Sequence, residues 1–396
     1  MRKPLAAWFL LALLGCSGRG DPPPYASGRA NTGGSGGFQV LPDSTNCGLP
    51  TDAGLCGNEI MPTQQDRPNL YFIIDDSGSM ADVFAGTTQT KYTAAVKAVV
   101  DVLELIGHRV SYGAALFPYF VNDNSCINSN NSCAVGQEVF KTQPGDSVVC
   151  ARNGKVGDVL SSFQTSLRHN PCGSTPLSAT LTKLKPTLTA LPGKTAVILA
   201  TDGAPNCNSN ATCAADLCEL NLDQVSFDNG PVCVAPVNCC DPKVVANGPS
   251  SCVDDVATIE ILSELQAAAI PTYIVGLPGV GALGDVLNRM ADAGGTARTG
   301  SLRYYEVSDS QTLADTLRQI AINLSVSCAI SLSQSPPNWA QVKVYFDSVE
   351  VPSDATNGWK QIDDHTLQIT GTSCDQLMNG NVFQVQVTAD CPTVVN

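Results

Sequence analysis

The stretch Asn69-Leu70-Tyr71-Phe72-Ile73-Ile74-Asp75-Asp76-Ser77-Gly78-Ser79-Met80 decides how the rest of the chain is read. Its apolar run, Leu70 to Ile74, has no polar interruption, which suits a strand covered on both faces, as in a parallel sheet. The run stops in acids, small hydroxyls and Gly78, whose missing Cβ lets the backbone turn sharply. Asp75, Ser77 and Ser79 alternate, so in an extended or open turn their oxygens converge on one point. Three short oxygen ligands at the C-terminal end of a strand suit a hard divalent cation. The same pattern also fits an Asx or Ser turn capping the next helix, and the loop by itself leaves both readings open.

Outward from this stretch, apolar strand-like runs alternate with helix-period segments, the mark of an α/β fold with a mostly parallel sheet. Lys91 to Ile106 carries Ala95, Val96, Val99, Val100, Leu103 and Ile106 at helical spacing. Val110 to Phe117 reads as the second strand and Gln137 to Lys141 as a short edge strand. Val156 to Leu167 and Leu177 to Leu191 read as helices, the latter bent or broken by Pro186. Ala196 to Thr201 is a buried strand ending in Asp202-Gly203. Helix Val256 to Ala269, strand Thr272 to Val275, helix Leu283 to Ala293 and strand Tyr304 to Val307 follow, and Ser310 caps a last helix to Val326. Beyond residue 328, Val342 to Phe346, Thr366 to Thr370 and Val382 to Val387 alternate in strand fashion, which predicts a small antiparallel β module over 328–396.

The chain of 396 residues, with a formal charge of −14, favours two or three domains and argues against a nucleic-acid partner, which would want a basic face. Seventeen cysteines at irregular spacings lack the paired pattern of a structural zinc site and point to a disulfide-permissive compartment. Arg2 and Lys3 before the apolar run Leu5 to Leu14 have the form of a signal peptide, residues 1–15. Leu13-Leu14-Gly15-Cys16 resembles the lipobox of bacterial lipoproteins, which implies cleavage before Cys16, lipid on its sulfur and a membrane held through that anchor. Ser17 in the following position implies the outer membrane. Residues 16–67, rich in Gly, Pro and Ser, read as a tether.

Two further loops repeat the logic of the first. Gly173-Ser174-Thr175 offers a hydroxyl at a helix start, and Thr201-Asp202-Gly203 a carboxylate at a strand end; in an open α/β sheet such loops share the carboxyl rim. With D-x-S-x-S at Asp75, Ser77 and Ser79, then Thr175 and Asp202 in that order, the chain resembles a von Willebrand factor type A domain over 68–327. That span is of single-domain size once an insertion at 205–253 is set aside. The resemblance implies a doubly wound, mostly parallel sheet with helices on both faces and a metal-ion-dependent adhesion site. Ser77, Ser79 and Thr175 would offer hydroxyl oxygens to a divalent cation, while Asp75 and Asp202 would act largely through water and hydrogen bonds. Mg2+ is the first expectation, with Ca2+ or Mn2+ as alternatives. The open coordination position would take an acidic side chain of a protein partner.

The insertion departs from a plain domain. It holds Cys207, Cys213, Cys218, Cys233, Cys239, Cys240 and Cys252 with little periodic pattern, and because it leaves from a site loop it is expected to lie beside or over the rim, either as a flap that selects the partner or as an elaboration that its cross-links merely stabilise. With Cys16 lipidated and the other sixteen cysteines all paired, the insertion and the C-terminal group, Cys328 to Cys391, each need at least one partner outside. Cys172 and Cys207 are placed to bridge two site loops, and Cys374 and Cys391 to pair within the end module. Enzyme readings are weak: no G-x-S-x-G elbow stands between a strand and a helix, and Gly193-Lys194-Thr195 lacks the upstream glycine of a phosphate loop. No small-molecule cofactor is expected, and His169, six residues before Thr175, reads as a surface-loop residue in preference to one near the site. Two rivals to adhesion stand: an envelope scaffold with a structural cation, and a metal-dependent hydrolase, which needs a base near Thr175 or Asp202.

Overall fold

Among the residues described, β1 (Glu59–Ile60) precedes the decisive strand, β2 (Asn69–Asp75), every residue of which is buried. The unbroken apolar run follows from burial on both faces. Leu70, Phe72 and Ile74 point into one core and Tyr71 and Ile73 into the other, each large side chain contributing about 1.5–3 kcal/mol on full burial. The structure is a computed structural model and describes residues 59–60, 67–84, 87–120, 132–146, 157–226, 232–279, 281–332, 334–347, 349–378, 382 and 385–389. The signal peptide, Cys16, most of the tether with Cys47 and Cys56, and Cys126, Cys150 and Cys391 lie outside the described residues.

From β2 the chain passes through α1 (Lys91–Ile106), whose first turn is capped by the Thr90 hydroxyl accepting from the Thr93 N–H. Next come β3 (Ser111–Phe117), β4 (Gln137–Pro144), α2 (Asp158–Ser166), α3 (Leu177–Thr189) and β5 (Thr195–Thr201). After the insertion follow α4 (Asp255–Ala267), β6 (Thr272–Gly276), α5 (Gly284–Ala293), β7 (Tyr305–Glu306) and α6 (Ser310–Ser325). The sheet runs β4-β3-β2-β5-β6-β7, parallel throughout except for the edge strand β4. Residues of α1, α2 and α6 cover one face, and those of α3, α4 and α5 the other. This is the doubly wound architecture expected from the sequence.

Two local expectations are corrected. Pro186 does not break α3: it sits in the last turn, where the hydrogen bond it forfeits is the one to the Thr182 carbonyl, and Leu181, Leu184 and Leu188 stay on the core. The cap of α6 is Asp309 rather than Ser310, its carboxylate accepting from the Thr312 N–H at 2.8 Å.

The C-terminal segment forms β8 (Ala329–Ser331), β9 (Val342–Phe346), β10 (Val349–Val351), β11 (Trp359–Gln361), β12 (Thr366–Ile369), α7 (Gly371–Met378) and β13 (Val385–Ala389). These make two small antiparallel sheets, β1-β13-β9-β10 and β11-β12-β8, around a core that includes Ile330, Val344, Leu367 and Val387. Glu59–Ile60, assigned by composition to the tether, thus completes the module's sheet by pairing with Thr388 and Ala389. Cys374 pairs with Cys328, not with Cys391, and so ties the start of β8 to α7. The module contacts the α/β domain through Arg109, whose buried guanidinium donates to the Val382 carbonyl at 2.7 Å. Arg109 lies two residues before β3, so this contact lies at the end of the sheet opposite its carboxyl rim. Among the described residues, no helix is long and apolar enough to cross a membrane.

Candidate functional site

The carboxyl ends of β2 and β5 lie side by side in the middle of the sheet, and the loops leaving them meet. The Ser77 N–H folds back to Asp75 Oδ1 at 2.9 Å, a tight Asx turn, so the turn reading of this tripeptide holds. The turn also brings the hydroxyls together: Ser77 Oγ lies 3.3 Å from Ser79 Oγ, and Ser79 donates to Asp202 Oδ1 at 2.7 Å. Thr201, the last residue of β5, donates to Asp75 Oδ2 at 2.5 Å. The two strand ends are therefore cross-linked twice, hydroxyl to carboxylate in each direction.

The third loop is docked by backbone. The Gly78 N–H donates to the Gly173 carbonyl at 2.9 Å, and the Cys172 N–H to the Asp76 carbonyl at 2.8 Å. Gly173 has φ +88° and a Cβ there would stand 2.7 Å from the Ser132 carbonyl oxygen, so only glycine fits. Thr175 follows and lines, with Ser77, Ser79, Ser174 and Asn206, a cleft of about 480 Å³. Sequence-predicted Asp75, Ser77, Ser79 and Asp202 are thus joined by hydrogen bonds, and Thr175 faces the cleft that Ser77 and Ser79 line.

Electrostatics set this rim apart. Asp75 is wholly buried, and burial, followed by the charge of Asp202, pushes its carboxyl up to about 7. Asp202 has a counter-charge, Lys91 Nζ at 2.8 Å. Gly279, with φ +132°, gives that lysine room: a Cβ there would lie 3.2 Å from Nζ and 2.9 Å from the Asp202 carbonyl oxygen. Hydroxyls and carboxylates on one rim are hard donors and fit Mg2+, Ca2+ or Mn2+. The sulfurs of Cys213, Cys240 and Cys252 also cluster closely, but they are committed to the disulfides Cys213–Cys252 and Cys218–Cys240 and hold no metal.

The insertion lies where the sequence puts it. Asn206, Glu219, Leu222 and Asp223 form one wall of the cleft. Its own interior is five buried cysteines with a fringe of partly buried apolar side chains, so disulfides replace the core it is too small to build. Cys213–Cys252, Cys218–Cys240 and Cys233–Cys239 close within it, and Cys207 pairs outside with Cys133. The expected Cys172–Cys207 bridge is thereby corrected, and Cys172 is held in another disulfide.

Several contributors escape sequence reading. Lys91 left a signal: a cation in the first turn of a helix opposes the helix dipole and calls for a nearby anion. Asn206, which holds Thr175, and Glu219, bonded to Asn206 at 2.6 Å, left none. Burial pushes the Glu219 carboxyl up to about 7 despite the lowering hydrogen bond from Asn206. His169, read as a surface residue, has its side chain 11% exposed and its Nδ1 against a carboxylate oxygen of Asp76, the residue between Asp75 and Ser77.

Fold and site together define a class: an open, doubly wound α/β domain with hydroxyl and carboxylate oxygens gathered at the carboxyl rim. No protein-family model matches the chain, and no curated protein matches it. Among solved structures it is similar to the PilB minor pilin from Streptococcus sanguinis, at 18% identity and a TM-score of 0.42 over 67% of this chain and 63% of that one. It is similar to the pilus adhesin SpaC from Lactobacillus rhamnosus GG, at 15% identity and a TM-score of 0.44 over 83% of this chain and 40% of that one. It is also similar to the vWF domain of the type V pili tip protein Mfa5 from Porphyromonas gingivalis, at 10% identity and a TM-score of 0.38 over 68% and 98%. The match thus spans about three fifths of the PilB chain and two fifths of SpaC.

Proposed function

We propose that the protein is a cell-surface lipoprotein, anchored in a bacterial outer membrane through Cys16, that captures a protein partner through a divalent cation at the carboxyl rim. The observation that carries this reading is the convergence of Ser77 and Ser79, with Asp202 hydrogen-bonded behind Ser79, on a cleft also lined by Thr175. Ser77, Ser79 and Thr175 would hold the cation directly; Asp75 and Asp202 would fix the hydroxyls and bound water. The cation, Mg2+ in first place, supplies a Lewis-acidic position for an acidic side chain of the partner. Lys91 already neutralises Asp202, so this carboxylate of the rim does not repel an anionic ligand. The activity is ligation, with no bond broken.

Partner capture from the same envelope, with Mg2+ and with chelator, tests this directly. Capture is expected in Mg2+, and lost both in chelator and in Asp75→Ala. Capture that survives both leaves the rim a structural feature and the protein an envelope scaffold.

A further inference from the structure

The loop carrying Thr175 is gripped from two sides by segments distant in sequence. On one side, the Ser174 N–H donates to the Ser132 carbonyl at 2.8 Å, and Ser174 Oγ to Ser132 Oγ at 3.0 Å. On the other, Asn206 forms a closed pair with Thr175: the Thr175 N–H donates to Asn206 Oδ1 at 2.7 Å, and the Asn206 N–H to the Thr175 carbonyl at 2.9 Å. The residues that follow these two grips, Cys133 and Cys207, are joined to each other by a disulfide across 74 positions of sequence. Ser132-Cys133 and Asn206-Cys207 thus form a covalently closed strap over Ser174 and Thr175.

Both ends of the strap are fastened to the start of α3, the helix that begins at Leu177. The Gly136 N–H donates to Thr180 Oγ1 at 2.9 Å, and Lys183 Nζ to the Gly136 carbonyl at 3.0 Å. From the insertion side, Asp254 accepts from Asn208 Nδ2 at 2.8 Å and from the Ser178 hydroxyl. Cys207 itself is held at φ +72°, a left-handed conformation uncommon for a residue with a Cβ and retained where the surroundings over-determine it. The other three disulfides of the insertion close on cysteines within it and make no such link.

We propose that the Cys133–Cys207 disulfide is a positioning element of the cation site. By closing the strap it fixes the Thr175 hydroxyl toward the cleft, and reduction of this one bond lowers cation affinity while the α/β core stays folded. The reductant is a dithiol: it is oxidised to its own disulfide as Cys133 and Cys207 become thiols, two electrons and two protons passing to the protein. This rests on the reading of the rim as a cation site. Groups that orient a metal's direct ligands typically change its affinity by about 10- to 100-fold when removed, so the effect is large enough to measure.

The test is Mn2+ titration followed by electron paramagnetic resonance, on the full chain, of the wild type, C133S/C207S, Asn206→Ala and C233S/C239S. Mn2+ affinity is expected to fall about tenfold or more in C133S/C207S and in Asn206→Ala, and to stay within about twofold in C233S/C239S, which loses a disulfide of the same insertion that does not line the cleft. Faster amide exchange at Thr175 in C133S/C207S accompanies this. Unchanged affinity in C133S/C207S, or an equal fall in C233S/C239S, overturns the strap. If C133S/C207S does not fold, Asn206→Ala decides alone, and wild-type affinity there overturns the proposal. A wild type that binds no Mn2+ overturns the cation site itself, a different failure from a wild type that binds and a variant that binds equally well.

Discussion

Lys91 Nζ sits 2.8 Å from Asp202 Oδ2, with 9% of the lysine side chain and 1% of the aspartate side chain exposed. A buried pair of this kind is costly to break because the survivor is left charged and dry, at about 3–5 kcal/mol. Lys91→Met is therefore expected to lose stability of that order in chelator, read by urea unfolding. Mg2+ should restore a larger share in the variant than in the wild type, because it supplies the missing positive charge. Equal stabilisation of both by Mg2+ would show that Lys91 is not the counter-charge of the site.

Thr201 donates to the inner oxygen of Asp75 and so sets how the carboxylate faces the loop. Thr201→Val keeps the shape and removes the donor. Mn2+ affinity should fall about tenfold. Thr195→Val, at the other end of β5, removes a hydroxyl bonded to Asn69 Nδ2 at 3.0 Å and serves as the control. It should lower the melting temperature and leave affinity alone; parallel losses in the two variants would assign Thr201 to stability only.

Glu219 carries a pH dependence of definite sign. Its folded carboxyl is raised from 4.5 to about 7 by burial, with Asp223 facing it. The fold thus holds this proton more tightly than the unfolded chain does. The resulting stability is present below pH 4.5 and drains away as pH rises to about 7. In chelator, the melting temperature of the wild type should fall more across that window than that of Glu219→Gln; equal slopes would mean that Glu219 titrates normally.

The insertion can be excised without orphaning a cysteine. Cys213 and Cys252 have Cα atoms 5.7 Å apart, so a two-glycine bridge can replace residues 214–251 once both cysteines are changed to serine. Asn206 and Cys207 remain, and Mn2+ affinity should stay within about threefold, since the strap is intact. Partner capture should be lost, because the cleft no longer has its wall of Glu219, Leu222 and Asp223. Undiminished capture would remove the insertion from recognition.

The α/β domain was legible because its strands are buried on both faces. Residues 70–74 and 196–200 carry no polar residue, and each run ends where the carboxylates begin. The order of Asp75, Ser77, Ser79, Thr175 and Asp202 was legible for the same reason, since each stands where a strand stops or a helix starts. The grips on those residues were not. Asn206 holds Thr175 across 31 positions and Lys91 holds Asp202 across 111, and contacts between distant segments leave no period in a sequence. Cysteine parity required an external partner for the insertion but could not choose Cys133, because pairing follows proximity in the fold. The short strands β8, β10 and β11 fall below the length at which alternation is readable.

The pairing of β1 with β13 has a mechanical meaning. A chain that arrives from a membrane anchor enters the fold at Glu59–Ile60, an edge strand of the β module, and reaches β2 only afterwards. In the anchored protein proposed above, tension between Cys16 and a captured partner would be borne first by this two-residue antiparallel seam, which joins the module and not the loops of the carboxyl rim. The seam would then act as a fuse, unzipping under load before the strands that carry Asp75 and Asp202 are pulled.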